Sequence, residues 1–294
     1  MIARIKKSVR TMAVAANIVL IETYMLLRKA AYRVKGRRMT AGDDSNLARS
    51  LREDGYVVLE NYFDEDQVAE ICGAIDDCML DRQGDYDHIN RVSYYRRPQE
   101  NQRWDGGIYR FYGAHEIHEL IRFFRRDQRL KGIVEEAFST EVSCVVTMVQ
   151  ENLPEGIETR GFHIDMYAPL ECKAFLFLTD VDRDEQGPYA IVKGSHRRFW
   201  WRLFNYLSRG LRDAEPVTTV EHVGEDDLQN LVKFMVKRGS VVLSCQQAVH
   251  RGWAHDTGRR IALVNYYTAK MSGATPEFDD DNRLGYRYEN ATLA

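Results

Sequence analysis

Residues 239–268 read GSVVLSCQQAVHRGWAHDTGRRIALVNYYT. Two runs within this stretch, 240–245 and 260–268, are rich in β-branched and aromatic residues, and each has the length of a strand. A polar segment that contains Gly258 separates them, as a turn would. The pattern therefore predicts two consecutive short strands. Short strands separated by glycine turns are typical of a β-sandwich or a barrel.

The chain upstream of this stretch divides into a helical part and a β part. Further strands are predicted at 56–59, 142–150, 173–181 and 189–194. Helices are predicted at 45–53 with Ser45 as the N-cap, at 64–79 with Asp64 as the cap, and at 116–137. A mostly helical first half followed by short strands predicts an α+β fold with a sandwich or barrel core.

Three other segments have a different composition. Residues 81–113 are polar and aromatic, and we predict a long loop there. Its arginines and aromatic rings fit either a lid that binds an acidic group or a solvated surface above a few buried rings. Residues 199–236 predict a helical insert between strands. The chain beyond Met271 is polar and predicts a loosely ordered tail.

The overall composition excludes several classes of protein. Of the 294 residues, 44% are hydrophobic and 29% are charged, which is ordinary globular usage and excludes a disordered or multi-pass membrane protein. The net charge of -3 argues against a nucleic-acid partner. Five cysteines, none in a CxxC spacing, favour buried free thiols in a reducing compartment, so we expect a cytoplasmic protein.

Residues 1–40 form a segment of their own. They hold ten basic residues and one acid, Glu22, so this segment carries +9 and the remainder -12. The apolar run 11–27 is too short and too polar to span a bilayer. Three alternatives stay open: a helix in peripheral contact with a membrane, a helix packed on the body or on a second subunit, and an organelle presequence. Every motif lies beyond Leu51, so we expect residues 1–40 to be dispensable for the chemistry.

One short motif carries metal-binding residue types. His163 and Asp165 lie in GFHIDMY, residues 161–167, and positions two apart in an extended segment point to the same face. His250, just beyond the strand at 240–245, offers a third ligand. Two imidazoles and one carboxylate form the facial triad of non-haem Fe(II) oxygenases, which leaves positions open for a co-substrate and O2. A histidine hydrogen-bonded to a nearby carboxylate would give the same short motif.

Several motifs in order resemble those of the phytanoyl-CoA dioxygenase family of Fe(II)/2-oxoglutarate oxygenases. The resemblance runs from about Leu51 to Tyr267. It rests on LREDGYVVLENYFDEDQV at 51–68, on GFHIDMY, on FLTDVDRDEQGPYAIVKGSHR at 177–197, and on the stretch quoted at the outset. His255 and Thr257 depart from the family, which often has Asn and Ser between the distal His and the Arg.

The resemblance implies a fold and a set of site residues. The fold is a double-stranded β-helix (a jelly roll, or cupin-like fold) with flanking helices over 45–275, preceded by the 1–40 helix and followed by a polar tail at 276–294. The implied iron ligands are His163, Asp165 and His250. The implied 2-oxoglutarate residues are Arg260, with Arg259 as the fallback, and Gln150. The presence of Asp165 argues against halogenation, and His196 is expected to be structural.

The expected function is an Fe(II)- and 2-oxoglutarate-dependent dioxygenase. It would use O2 to hydroxylate a small-molecule or lipid-linked substrate and would release succinate and CO2. Desaturation or ring closure at the same centre is an alternative within enzymes. A non-catalytic jelly-roll protein that binds a ligand is the alternative from another class. The sequence does not indicate an oligomeric state.

Overall fold

A computed structural model of the chain describes most of the body and part of the N-terminal segment. The described residues are 12, 15–16, 19–20, 22–27, 30, 43–78, 94–96, 108–152, 161–165, 170–212, 223–253, 255–269, 274–278 and 284–288. Much of the predicted loop at 81–113, Arg97 and Trp104 included, and the end of the chain beyond 288 lie outside these residues.

A seven-stranded antiparallel sheet is the largest element. Its strands are β1 (Tyr56–Leu59), β2 (Tyr94–Arg96), β3 (Ile108–Tyr112), β4 (Val142–Asn152), β5 (Glu171–Phe177), β8 (Val241–Cys245) and β10 (Arg260–Ala269). Their order in the sheet is β1-β8-β5-β10-β4-β3-β2. The two strands of the 239–268 stretch therefore both belong to this sheet, and β5 lies between them.

A smaller sheet faces the large one. It contains β6 (Tyr189–Val192), β7 (Leu231–Lys233) and β9 (His250–Gly252) in the order β7-β6-β9. One hydrophobic cluster includes Phe177 and Val242 from the large sheet and Ile191 from the small one. A separate hairpin joins β11 (Ala274–Phe278) to β12 (Leu284–Tyr288). The chain is thus a mixed helix and strand protein built around antiparallel sheets, as the strand pattern predicted.

Six helices surround the sheets in the part of the chain from 43 onward that the structure describes. They are α1 (Asp43–Asp54), α2 (Glu65–Cys78), α3 (Glu119–Arg126), α4 (Gln128–Phe138), α5 (Phe199–Arg212) and α6 (Glu225–Gln229). The α2 helix begins with a capping box, in which Asp64 Oδ1 accepts from the Gln67 N–H at 2.8 Å and Gln67 Oε1 accepts from the Asp64 N–H at 3.1 Å. Val68, Ile71 and Ile75 then form its buried face.

Two helix predictions were wrong in detail. Helix α1 begins at Asp43, so Ser45 lies inside it and is not its N-cap. The predicted helix 116–137 is divided, because Asp127 leaves helical geometry and its carboxylate accepts from the N–H groups of Arg129 and Leu130. Asp127 therefore ends α3 and caps α4, since a side chain that caps one helix stops the one before it.

Strands also occur in the three regions that were predicted as a loop, a helical insert and a tail. The segment 81–113 supplies β2 and β3, which extend the large sheet beyond β4. The insert 199–236 is helical at first but ends in β7, which pairs with β6. The predicted tail contains the β11–β12 hairpin, which crosses the expected domain limit at 275.

The described residues between 12 and 30 are helical, and they contact the body. Met25 belongs to the main core, and Ala15 lies in a cluster with Ile164 and Val249. Glu22 Oε1 lies 3.7 Å from Nη2 of the buried Arg202. Leucines 20, 26 and 27 of the same segment are exposed. No helix in the described part of the chain has the length and apolar content needed to cross a bilayer.

Candidate metal centre

Backbone pairing aligns the two candidate histidines. His163 and His250 form an antiparallel bridge in which each N–H donates to the other's carbonyl at 2.9 Å. Residues paired directly across antiparallel strands carry their side chains on the same face. The two imidazoles therefore lie together, with ring centroids 4.3 Å apart. Because β9 also pairs with β6, the His163 segment continues the small sheet on its open side.

Each imidazole has its proton position fixed by a neighbouring carbonyl. His163 Nδ1 lies 2.8 Å from the Gly161 carbonyl oxygen, and His250 Nδ1 lies 2.9 Å from the Ala248 carbonyl oxygen. A carbonyl only accepts hydrogen bonds, so Nδ1 carries the proton in both rings. The lone pair is then on Nε2, the tautomer that metal-ligating histidines adopt when the other nitrogen donates.

The carboxylate of Asp165 faces both Nε2 atoms. Asp165 Oδ1 lies 3.3 Å from His163 Nε2, and Asp165 Oδ2 lies 3.6 Å from His250 Nε2. The ligand atoms all lie within 4.8 Å of one another. Atoms that share a metal ion at about 2 Å are separated by about 3–4 Å. The cluster thus has the residue types and spacing that a divalent metal requires.

The charge of Asp165 is stabilised inside the protein. Burial alone would raise its pKa, but Lys173 and then His250 outweigh burial and hold the pKa of Asp165 well below its usual range. A carboxylate that stays ionised is the form that binds a cation. The site therefore has an ionised carboxylate between the two imidazoles.

A buried lysine and glutamate beside Asp165 were missed by the sequence analysis. Lys173 Nζ forms an ion pair with Asp165 Oδ2 and lies 3.5 Å from Glu171 Oε1. Burial, partly offset by Lys173, raises the pKa of Glu171 to about 7. The available signal was the alternation along β5, which places positions 171, 173, 175 and 177 on one face. Lys173 shares that face with Phe175 and Phe177, so it points inward.

The Gly-Ser-His motif holds the backbone next to His250 in place. Ser195 Oγ donates to the Val192 carbonyl at 2.7 Å and accepts from the Val249 N–H at 2.8 Å, which fixes the residue before His250. His196 is buried, and its Nε2 lies 3.0 Å from the Arg52 carbonyl oxygen. Its contacts are with the turn at the end of α1, which is the structural role expected for it.

The two adjacent arginines have different surroundings. Arg259 Nε donates to Glu151 Oε1 at 2.6 Å, and its Nη2 donates to Asp76 Oδ1 at 2.6 Å. No carboxylate from the described residues pairs with Arg260, and burial lowers its pKa to about 10. Arg260 is half-buried, and a half-buried guanidinium with no carboxylate partner among the described residues favours an anionic ligand. Of the two candidates, Arg260 is the one available for such a ligand.

The remaining predicted residue, Gln150, lies on β4 opposite Ala262 of β10. Its Nε2 donates to Asn152 Oδ1 at 3.2 Å. Arg260 opens β10 opposite the same Asn152, so Gln150 is two residues along β4 from the arginine's strand partner. Its role toward a co-substrate stays a prediction.

Comparison with known proteins agrees with this geometry. The chain is similar in structure to the non-haem α-ketoglutarate-dependent carbocyclase SnoK from nogalamycin biosynthesis (19% identity, 78% of this chain and 85% of that chain, TM-score 0.52). It is similar to EctD from S. alaskensis with bound Fe (20% identity, 78% and 79%, TM-score 0.54). It is also similar to the epimerase SnoN in complex with Fe3+, α-ketoglutarate and nogalamycin RO (17% identity, 77% and 83%, TM-score 0.52).

A search of curated proteins found no match. The profile of the phytanoyl-CoA dioxygenase family, in contrast, matches residues 51–262. That range contains the His-x-Asp segment, the Gly-Ser-His motif, His250 and both arginines, and it covers more than two thirds of the chain. The family resemblance inferred from the motifs is confirmed, and the chain belongs to the phytanoyl-CoA dioxygenase family.

Proposed function

We propose that the protein is an Fe(II)- and 2-oxoglutarate-dependent dioxygenase. The observation that carries the proposal is the convergence of His163, Asp165 and His250, with both Nε2 lone pairs and an ionised carboxylate directed at one point. Two imidazoles and one carboxylate on one side of a metal leave the opposite positions open, which is the arrangement of iron oxygenases of this kind. The Fe3+ and α-ketoglutarate in SnoN and the Fe in EctD support the same assignment.

Each protein group has a definable task in this proposal. A ferrous ion held by the three ligands would supply the oxidation, in which a C–H substrate, O2 and 2-oxoglutarate yield the hydroxylated product, succinate and CO2, with one oxygen atom in the product and one in succinate. His163 and His250 present Nε2 because their Nδ1 protons are held by carbonyls. Asp165 supplies the anionic ligand. Arg260 would bind the distal carboxylate of 2-oxoglutarate through a bidentate pair.

We also propose a more specific architecture and a substrate class. We infer that the seven-stranded and three-stranded sheets form the two walls of a double-stranded β-helix over residues 45–275. The substrate would be a small molecule, which the nogalamycin RO bound to SnoN supports by analogy of fold. A lipid-linked substrate and peripheral contact of residues 1–40 with a membrane are proposed on the exposed apolar side chains of that segment.

The test measures succinate formed from 2-oxoglutarate with Fe(II) and O2, across a panel of small-molecule and lipid-linked substrates. We expect turnover by the natural chain and none by Asp165→Ala or His250→Ala, because each variant leaves only two of the three protein ligands to hold the metal. Product analysis by mass spectrometry separates hydroxylation from desaturation and ring closure. A non-catalytic binding protein would bind ligand with no iron requirement and release no succinate in any condition, which would contradict the proposal.

A further inference from the structure

Lys173 is a buried cation that the proposed function does not use. Its Nζ forms an ion pair with Asp165 Oδ2, lies 3.5 Å from Glu171 Oε1, and lies 4.5 Å from the centre of the Tyr266 ring. The residue is 9% exposed. These three partners stabilise the position of the ammonium group, because a buried charge is costly unless it is paired.

The contact with Asp165 divides the two carboxylate oxygens. Lys173 pairs with Oδ2, which lies 3.6 Å from His250 Nε2, whereas Oδ1 lies 3.3 Å from His163 Nε2 and has no contact with the lysine among the described ion pairs. A carboxylate with one oxygen held by a lysine has the other oxygen left for a metal. In a six-coordinate ion with a bidentate co-substrate, a second carboxylate oxygen would occupy the position that O2 needs.

We propose that Lys173 is a positioning residue that restricts Asp165 to single-oxygen metal ligation and so keeps one coordination position open. The inference rests on the proposed function, because it concerns the metal that Asp165 would bind. Glu171 supports this role as a second carboxylate near Nζ, with its Oε1 at 3.5 Å. Glu171 also balances the positive charge that Lys173 would otherwise place beside a cation.

The experiment compares the full-length protein with variants at this contact. Lys173→Met removes the hydrogen bonds to Asp165. At a pH well above the Glu171 pKa of about 7, where Glu171 is ionised, Lys173→Met combined with Glu171→Gln removes them without changing the net charge of the cluster, which separates positioning from bulk electrostatics. Lys131→Met is the matched control, since Lys131 also pairs with a buried glutamate, Glu135, at 2.9 Å but does so on helix α4.

Two readouts report on ligation directly. Titration with Co(II) gives metal affinity and an absorption spectrum that depends on coordination number. Nitric oxide, added without O2 to the protein with Fe(II) and 2-oxoglutarate, gives an EPR signal only where a coordination position is open. We expect both Lys173→Met variants to bind nitric oxide at least about tenfold more weakly, the lower end of the usual effect of changing a group that orients a metal ligand. Lys131→Met should match the natural chain.

Unchanged nitric oxide binding and unchanged Co(II) spectra in both variants would overturn the inference. So would a loss of 2-oxoglutarate affinity with unchanged Co(II) spectra, because Lys173 would then be a co-substrate ligand. If Lys173→Met fails to fold in a thermal melt, Lys173→Arg is measured instead, and its longer side chain should displace the carboxylate and shift the Co(II) spectrum. An unshifted spectrum there also contradicts the proposal. If the natural chain itself binds neither metal nor 2-oxoglutarate, the failure lies with the proposed function.

Discussion

At the scale of single residues, the two neighbouring arginines should have different roles: Arg260 in binding 2-oxoglutarate and Arg259 in stabilising the fold. Arg260→Ala should raise the 2-oxoglutarate requirement and leave metal affinity unchanged, because the anion loses its buried partner while the three metal ligands stay in place. Loss of one partner of a buried charged pair costs about 2–5 kcal/mol, so the effect should be tens-fold or larger. The measurement is 2-oxoglutarate binding by calorimetry with Co(II) present.

Arg259→Ala is the matched control for this measurement. Arg259 pairs with Glu151 and Asp76, so its removal leaves the buried Glu151 carboxylate without that counter-charge and should lower the unfolding midpoint in urea. The affinity for 2-oxoglutarate should change little. If Arg259→Ala weakens 2-oxoglutarate binding and Arg260→Ala does not, the assignment of the co-substrate arginine is reversed.

Some of the site residues could be predicted from the local sequence, and others could not. His163 and Asp165 were predictable because a two-residue spacing in an extended segment fixes their relative direction. His250 was predictable from its place after an apolar strand in a family motif. Lys173 was not predicted, because a lysine at the start of an apolar run normally marks a strand end in solvent. Its burial depends on Glu171, two residues before it on β5, and on Asp165, which only the folded chain brings next to it.

At the scale of elements, the turn before β6 controls the space around Arg260. Gly187 has a φ of +68°, and a Cβ there would lie 2.5 Å from Arg260 Nη1 and 2.9 Å from the Trp253 carbonyl oxygen. Gly187→Ala should therefore displace the guanidinium. A displacement of about 1 Å can cost on the order of 100-fold, so we expect at least about tenfold weaker 2-oxoglutarate binding by calorimetry.

Gly258→Ala provides the control for backbone strain. Gly258 also has a positive φ, +78°, but a Cβ there meets nothing within 4 Å. Both substitutions should destabilise the protein by about 1 kcal/mol or more, since alanine is strained at positive φ. Equal 2-oxoglutarate affinity in the two variants would show that the turn does not position Arg260.

The junction between α3 and α4 is a second element-scale feature. Asp127 accepts from the Arg129 and Leu130 N–H groups and from the Tyr62 hydroxyl. Asp127→Ala should lower the free energy of unfolding by about 2 kcal/mol or more, because the loss of an N-cap costs about 1 kcal/mol and an unsatisfied buried hydroxyl costs about 1–3 kcal/mol. Urea denaturation measures this loss. Tyr62→Phe should lose only the hydroxyl part, and an equal loss in both variants would exclude the capping role.

Elements were predictable where their own residues decided them. The apolar runs of β5, β8 and β10 predict strands, and Asp64 predicts the start of α2, where it forms a capping box with Gln67. Strands β2 and β3 were missed because charged and aromatic residues mix along 94–112 without clean alternation. These segments form strands because the edge of β4 is available for pairing. Pairing with a strand that is distant in sequence cannot be predicted from a local pattern.

At the scale of the whole molecule, the N-terminal segment is joined to the catalytic body. Ala15 packs in the cluster that holds Ile164, the residue between two metal-ligand candidates, and Val249, the residue before the third. The sequence analysis left a helix packed on the body or on a second subunit open as one of three alternatives, and it expected residues 1–40 to be dispensable for the chemistry. Two of the described side chains in the segment, those of Ala15 and Met25, are nevertheless buried against the fold. The net charge changes between residues 1–40 and the remainder of the chain, but side chains of the segment pack into the body.

Substitutions of buried and of exposed side chains in this segment should therefore differ in their effect on the free energy of unfolding. Met25→Ala should lower the free energy of unfolding by about 2–5 kcal/mol, as for other buried methionines, because Met25 is 4% exposed in the main core. Leu20→Gln combined with Leu27→Gln should change stability by less than about 0.5 kcal/mol per site, because these side chains are 65% and 67% exposed.

Flotation with vesicles then tests what the exposed face does. If it contacts a membrane, the natural chain should float with anionic vesicles, in part through its basic residues at about 1 kcal/mol each near the surface, a contribution that salt weakens. The apolar contribution resists salt, so at high salt the Leu20→Gln, Leu27→Gln protein should sediment free of vesicles that still hold the Met25→Ala protein. Equal flotation of all three proteins at high salt, or none by the natural chain at low salt, would exclude membrane contact through this face and leave the segment as a packing helix.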